Sequence, residues 1–384
     1  MLPRTADVVI IGGGVNGLST AYHLAKRGCT NIIVLEKEEA LATHSTGLSA
    51  GGIRQQFSTA VNIRMAQHSV GVFEQFEELT GVDPTFRQVG YLFLLCAEED
   101  VGLFRRSTAL QRELGVQTEW LSPEETKSRW PHLAVDDLLG ATFHDRDGYA
   151  DPYGVANGFA AVARRLGARI CLQTEATDIA VDEGKIRGVI TKQGEISTPA
   201  VVDTAGPWAR VVANMAGVDL PADPYRRQIF ITAPFPHLPR STPMTIDFSQ
   251  SWYFRPEGEG LLTGMSDLEE PPSFNMSVDW SFMVEVIEHG IRRVPVLEEA
   301  QVIRGWAGLY SVTPDDQPVV GAIRGTEGFY CAVGFSGHGF MLSPATGLTL
   351  AECILDGGAR TFDISEFSLD RFAAATSLGE QHVI

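Results

Sequence analysis

The chain has 384 residues, a hydrophobic content of 44% that can fill two or three packed cores, and a formal charge of 30 − 48 = −18. That excess of acid argues against nucleic acid and anionic membrane surfaces as partners. The five cysteines (Cys29, Cys96, Cys171, Cys331, Cys353) are odd in number, scattered, and form no Cys-x-x-Cys pair. Free thiols in a reducing compartment and no metal site are therefore expected.

The first element is an apolar strand, Val8 to Ile11, which runs directly into Gly12-x-Gly14-x-x-Gly17. Val15 and Asn16 then open a helix whose apolar positions, Leu18, Ala21, Tyr22 and Ala25, recur at spacings of three and four. Gly28 stands where a helix C-cap belongs, and a second apolar strand, Ile32 to Leu35, delivers Glu36 and Lys37. The glycines serve different ends. Gly12 turns the chain, Gly14 lets a pyrophosphate approach the backbone, and Gly17 allows close helix–strand packing. The helix N-terminus offers free N–H groups to phosphates, and Glu36 can accept hydrogen bonds from ribose hydroxyls. Strand, glycines, helix, strand and acid together define a dinucleotide site.

A loop of small and polar residues follows at 42–52, containing Ser45, Thr46, Ser49, Ala50 and Gly51. Its hydroxyls can bond phosphate oxygens, and its small side chains let it lie along an extended ligand. Further along, the pattern predicts one helix over 60–80, a strand at 91–96, and helices at 101–115 and 122–129. Ser122-Pro123 gives the last of these a good N-cap with Pro at N1. A helix at 152–167 precedes short strands at 169–172, 176–181, 186–191 and 195–198. The apolar strand from Val201 ends in the turn Ala205-Gly206-Pro207-Trp208. Strands at 227–233, 245–247, 251–255 and 260–264 and a helix at 278–290 come next. A strand at 329–333, the turn Gly334-x-x-Gly337-His338-Gly339 and a helix over 343–355 close the pattern. Backbone N–H groups at that last helix start face an electron-rich ligand, and His338 can add a positive or hydrogen-bonding group beside it. No apolar run approaches the roughly 20 residues of a membrane span. The first strand starts near residue 7, leaving no room for a secretory leader, so a cytoplasmic protein is expected.

The opening motif, Ala205-Gly206-Pro-Trp208, Thr313-Pro-Asp315 with Pro318, and Gly334-Phe-Ser-Gly-His-Gly-Phe340 occur in this order along nearly the whole chain. Together they resemble the D-amino acid oxidase-like flavoenzymes, and most closely sarcosine oxidase of the beta-subunit-like branch. The resemblance implies an α/β protein. A Rossmann-type FAD-binding domain would be assembled from discontinuous segments (1–87, 145–221, 304–384). An α+β substrate domain with a mixed, mostly antiparallel sheet would come from 88–144 and 222–303.

FAD is the cofactor it implies. Ala176, Ala205, Gly206, Trp208, Gly308, Gly334, Gly337, Gly339, Phe340 and Met341 then join the opening motif as cofactor contacts. Arg54 matches the arginine that holds a substrate carboxylate, a role suited to a planar bidentate donor. Tyr253 and Tyr310 match active-site tyrosines, and His338 completes the catalytic set.

Three departures from monomeric sarcosine oxidase stand out. Met341 replaces a carboxylate-binding lysine, Leu262 falls where a lysine credited with activating oxygen belongs, and Gly308 replaces a flavin-tethering cysteine. No histidine compensates near Leu48, so FAD is expected to be non-covalent. The implied reaction is oxidation of the C–N bond of a secondary or N-methyl amino acid of sarcosine, proline or glycine type. A hydride passes to flavin N5 and an imine results. Two alternatives remain: a flavin electron-relay subunit of a multi-subunit amine dehydrogenase, and a hydroxy-acid or glycerol-phosphate dehydrogenase of the same fold. A homo-oligomer, or further subunits of an oxidase complex, is compatible with either.

Overall fold

A computed structural model describes residues 2–374 and 379–383. Strand Val8–Ile11, helix Val15–Lys26 and strand Ile32–Leu35 form the expected opening unit. The two strands pair in parallel, Val8 with Ile32 through Ile11 with Leu35. They belong to a six-stranded sheet in the order Val319–Ala322, Phe329–Val333, Val201–Asp203, Val8–Ile11, Ile32–Leu35 and Arg169–Cys171. Every pairing is parallel except the first, which is antiparallel. Such a sheet is covered on both faces, and the alternation of side chains shows how. Val8 and Ile10 pack with the helices Val15–Lys26, Pro152–Arg165 and Gly339–Asp356. Val9 and Ile11 pack with helix Ala209–Met215 and a three-stranded antiparallel layer, Ala176–Asp182, Lys185–Thr191 and Gly194–Ser197.

Two close approaches fix the geometry of the opening turn. Gly12 has φ +116°, and a Cβ there would lie 2.4 Å from the Thr204 carbonyl oxygen. A Cβ on Gly17 would lie 2.2 Å from the Gly12 carbonyl oxygen, so only glycine lets the helix sit this near the strand. Helix Gly339–Asp356 lies equally near the first helix, since a Cβ on its Gly347 would meet Ser19 Oγ at 2.3 Å.

The second layer is an eight-stranded sheet in the order Val302–Val312, Asp223–Thr232, Gly260–Met265, Trp252–Glu257, Met244–Asp247, Tyr91–Leu95, Gly140–His144 and Glu119–Leu121. Its pairings are antiparallel apart from Met244–Asp247 with Tyr91–Leu95. One face buries Leu92, Leu94, Trp252 and Phe254 against helix Trp280–Arg293. The other face presents Tyr91, Phe93, Ile246 and Tyr253. On the helix side, the Arg293 guanidinium donates to the buried Asp247 at 2.8 Å and also bonds Asp137.

Several expectations are corrected. The helix expected over 60–80 is two helices, Ala60–Glu74 and Phe76–Thr80, separated at Gln75, whose ψ is 9°. The last long helix starts at Gly339 rather than 343. Strands Glu119–Leu121, Gly140–His144, Val302–Val312 and Val319–Ala322 are additional to the sequence pattern; glycines blur the period in Val302–Val312 (Gly305, Gly308). The expected boundary at residue 304 falls inside Val302–Val312. That strand pairs with Asp223–Thr232, so residues 304–312 belong with the eight-stranded sheet.

Candidate active site

One cavity is lined by both sheets. At one end lie the amino ends of two helices. The N-cap of the first is Gly14, and the last begins at Gly339, whose missing Cβ would sit 3.1 Å from Asn16 Nδ2. Neither helix has an acidic residue in its first turn, and neither N-cap residue bonds it through a side chain. Beyond the Val15 N–H that Thr46 takes, first-turn N–H groups are therefore left for a ligand at this end of the cavity. Glu36, 8% exposed, accepts from the Gly13 N–H at 2.8 Å and the Glu38 N–H at 2.9 Å. Thr46 Oγ1 accepts from the Val15 N–H at 3.1 Å, which ties the 42–52 loop to the helix start. Asn16 Oδ1 is buried with no partner among the described residues. Trp208 carries the Lys37 ammonium 3.3 Å from its ring centroid and stacks on Phe274 at 5.6 Å.

Every candidate named from the sequence lines this cavity except Gly17 and Gly308. Gly17 acts from beneath, through helix packing. Gly308 packs on Leu48, where a Cβ would fall 3.3 Å from the Leu48 Cβ. Gly337, at φ +94°, leaves room for Tyr310, whose ring would otherwise meet a Cβ at 2.6 Å.

The other end is a chamber around Arg54. Arg54 is 3% exposed. Its Nη1 donates to the Gln56 carbonyl, and its Nη2 contacts His338 Nε2 at 2.9 Å and the His382 carbonyl at 2.5 Å. Its guanidinium carbon lies 4.1 Å from the Phe57 ring centroid and 5.4 Å from that of Phe93. All of its hydrogen-bond partners among the described residues are neutral, and burial depresses its pKa. An arginine stays charged even so, which makes it a buried cation suited to an anionic ligand.

Burial, and then the Arg54 charge, lower His338 to about 3. The positive His338 considered from the sequence is therefore corrected. It is a neutral ring whose Nε2 accepts from Arg54. Burial raises the phenols of Tyr91, Tyr253 and Tyr310, so all three are neutral at pH 7.

Sequence reasoning missed several chamber residues. Tyr91 and Phe93 sit on the strand expected at 91–96, and alternation would have placed both on one face. Gln56 is held through Asp147, Thr142 and the Tyr91 carbonyl, and this fixes the backbone oxygen that grips Arg54. Neither Asp147 nor His382 has any sequence signal for its role.

A family model described as "FAD dependent oxidoreductase" matches residues 7–353. The chain belongs to this family of flavoproteins, and FAD is its cofactor. The glycine turn, Glu36, the 42–52 loop and the two helix starts fit that group.

Among its relatives, "FAD-dependent oxidoreductase domain-containing protein 1" of Xenopus laevis is 34% identical, over 100% of this chain and 85% of the relative. Human mitochondrial sarcosine dehydrogenase is 33% identical over 97% of this chain, which spans only 42% of that enzyme. The crystal structure of L-proline dehydrogenase from P. horikoshii is 34% identical with a TM-score of 0.91, covering 98% of this chain and 100% of that one. Among the described residues no helix is long and apolar enough to cross a membrane.

Proposed function

We propose that the protein oxidises the C–N bond of a small secondary or N-methyl amino acid, of the sarcosine, proline or glycine type, to an imine that hydrolyses in water. The observation that carries this reading is Arg54, a buried guanidinium with neutral partners facing a chamber of Tyr91, Phe93, Tyr253 and Tyr310. The names of the relatives support the same chemistry, since sarcosine and proline dehydrogenases both act on secondary amino acids.

Bound FAD would supply the hydride acceptor. The chain's own residues do the rest. Arg54 pairs with the substrate carboxylate, and its fork geometry fixes the direction of the amine. Gln56, held by Asp147, keeps Arg54 in place. The aromatic walls are poor solvents for an ammonium ion, so they favour the neutral amine whose lone pair assists hydride departure. The open amino end at Gly339 favours developing negative charge. No general base is required.

Among the described residues, Lys37 and Arg54 are the only lysine and arginine lining the cavity, and Lys37 is held at Trp208. The missing lysine beside the reaction centre, with Leu262 buried in its place, supports an electron acceptor other than oxygen. The phosphate-binding alternative loses support, because Arg226 is paired with Glu270 and neither Arg226 nor Arg227 lines the cavity. Gly308 and Leu48 in place of a tethering residue support non-covalent FAD, and free cysteines support a reducing compartment.

The test is anaerobic mixing of the FAD-loaded protein with sarcosine, proline, glycine and dimethylglycine, reading the flavin absorbance. Bleaching by at least one is expected, and Arg54→Ala should slow it by ~10²–10³ with FAD still bound. No bleaching by any amino acid would leave the electron-relay role standing. Unchanged bleaching in Arg54→Ala would remove Arg54 from the mechanism.

A further inference from the structure

The chamber contains a piece of chain that none of the chemistry above uses. Segment 379–383 brings His382 against Arg54, and His382 is 1% exposed and lines the cavity. Its imidazole stacks on Phe104 with centroids 4.0 Å apart and planes 6° apart. Its Nδ1 lies 3.1 Å from the Gln56 carbonyl, and its Nε2 is buried without a partner among the described residues. Glu380, 4% exposed, anchors the segment. Its carboxylate accepts from the Ser58 N–H and Oγ, from Asn62 Nδ2 and from the His382 N–H, at 2.7 to 3.1 Å.

Arg54 Nη2 carries two hydrogens, and they are directed at His338 Nε2 and the His382 carbonyl. A bidentate carboxylate engages a guanidinium either through both Nη atoms or through Nε and one Nη. Nη1 already serves the Gln56 carbonyl, which the Asp147 network holds rigidly. End-on or side-on at this nitrogen, Nη2 must release a partner. His338 is fixed at the N-cap of an 18-residue helix, whereas the His382 carbonyl belongs to a short segment outside any helix or strand. That segment is held by the Glu380 carboxylate, by the ring stacked on Phe104 with its Nδ1 at the Gln56 carbonyl, and by the Glu380 and Gln381 N–H groups on the Asp315 carbonyl and Ser58 Oγ.

We propose that segment 379–383 is a tethered competitor for the carboxylate site: the His382 carbonyl holds the Arg54 hydrogen that an incoming substrate carboxylate takes. Binding an amino acid thus displaces this carbonyl from Nη2. The proposal rests on the reading of Arg54 as the carboxylate ligand. A charged carboxylate forms a stronger bond to guanidinium than a peptide carbonyl, so an amino acid wins the exchange. A plain amine has nothing to offer Arg54, and the segment stays in place against it. The segment thereby selects for the carboxylate as well as covering the cation.

The test is titration of the FAD-loaded protein with acetate, followed by the perturbation of the flavin absorption band. Four proteins are compared: the parent, Arg54→Ala, His382→Ala, and a chain ended after Gly379. Loss of the hydrogen-bonded competitor should tighten acetate about five- to tenfold in the shortened chain. His382→Ala keeps the carbonyl but removes the ring whose stacking on Phe104 holds it at Arg54, and should tighten acetate by at least about twofold. Arg54→Ala should lose the perturbation. Unchanged or weaker acetate binding in His382→Ala, with loss in Arg54→Ala, would overturn the competitor while leaving Arg54 as the ligand. Tightening in the shortened chain alone would assign the effect to the Glu380 charge and also overturn it. If Arg54→Ala binds acetate as the parent does, both readings fall. Should the shortened chain not fold, His382→Ala decides, because it removes no charge and leaves the Glu380 anchor.

Discussion

The two ends of the cavity are built on opposite plans. The nucleotide end is made of backbone: two helix starts, a glycine turn and a loop of small residues, with Glu36 as its chief side-chain ligand. The chamber is lined by side chains from distant segments, Arg54, Tyr91, Tyr253, Tyr310 and His382, with the Gln56 and His382 carbonyls holding its cation. A ligand common to the whole family can be held by backbone groups, which survive sequence change. A substrate particular to one member must be recognised by side chains. The difference predicts that the nucleotide end fails when a Cβ is added, and the chamber when a functional group is removed.

The largest break should come from Gly12→Val. At φ +116°, with the Thr204 carbonyl 2.4 Å from the new Cβ, the turn cannot keep its course. The expected product is colourless, and the ratio of flavin to protein absorbance measures it. A normally yellow variant would show that the nucleotide end tolerates what the plan forbids.

Acid stability sharpens the contrast from the chamber side. His338 is depressed to about 3 and His382 to about 4, both mainly by burial. In the unfolded chain each takes up its proton near 6.5, so between about pH 6.5 and 4 the unfolded state binds more protons. Folding stability should therefore be complete above pH 6.5 and fall as the pH drops through that window. The measurement is Tm against pH for the parent and His338→Gln. A shallower decline in the variant is expected, and parallel curves would contradict it.

Smaller effects separate the ends further. Tyr253→Phe should lower kcat/KM by less than about tenfold and leave the pH profile of flavin reduction in place. Its phenol is neutral throughout, so the profile belongs to the substrate amine and rises with pH. Trp208→Ala, which removes the ring under the Lys37 ammonium, should weaken FAD by only a few-fold, as one partly exposed cation–π contact allows. Fluorescence titration of the apoprotein with FAD checks it. A loss as large as that from Gly12→Val would erase the distinction between backbone and side-chain recognition.

Legibility in the sequence follows the same division. The opening strand, turn and helix are readable because each signal, an apolar run, spaced glycines, a 3.6-residue period, is local. The same holds for helix Pro123–Arg129, where Ser122 and Glu125 form a full capping box. Strand Val302–Val312 escapes because Gly305 and Gly308 dilute its pattern, and its assignment rests on pairing with a partner some 80 residues earlier. Arg54, Tyr253 and Tyr310 emerge through family resemblance alone.

By itself, the sequence determined the dinucleotide turn and the order of most of the main elements, since these depend on neighbours within a few residues, and its motifs in fixed order carried the resemblance that singled out Arg54. Only the tertiary structure decided which partners that cation has, that His338 is neutral, and that His382 stands beside it. Protonation and hydrogen-bond competition depend on burial and on distances between residues hundreds of positions apart, and no local pattern in a chain encodes those.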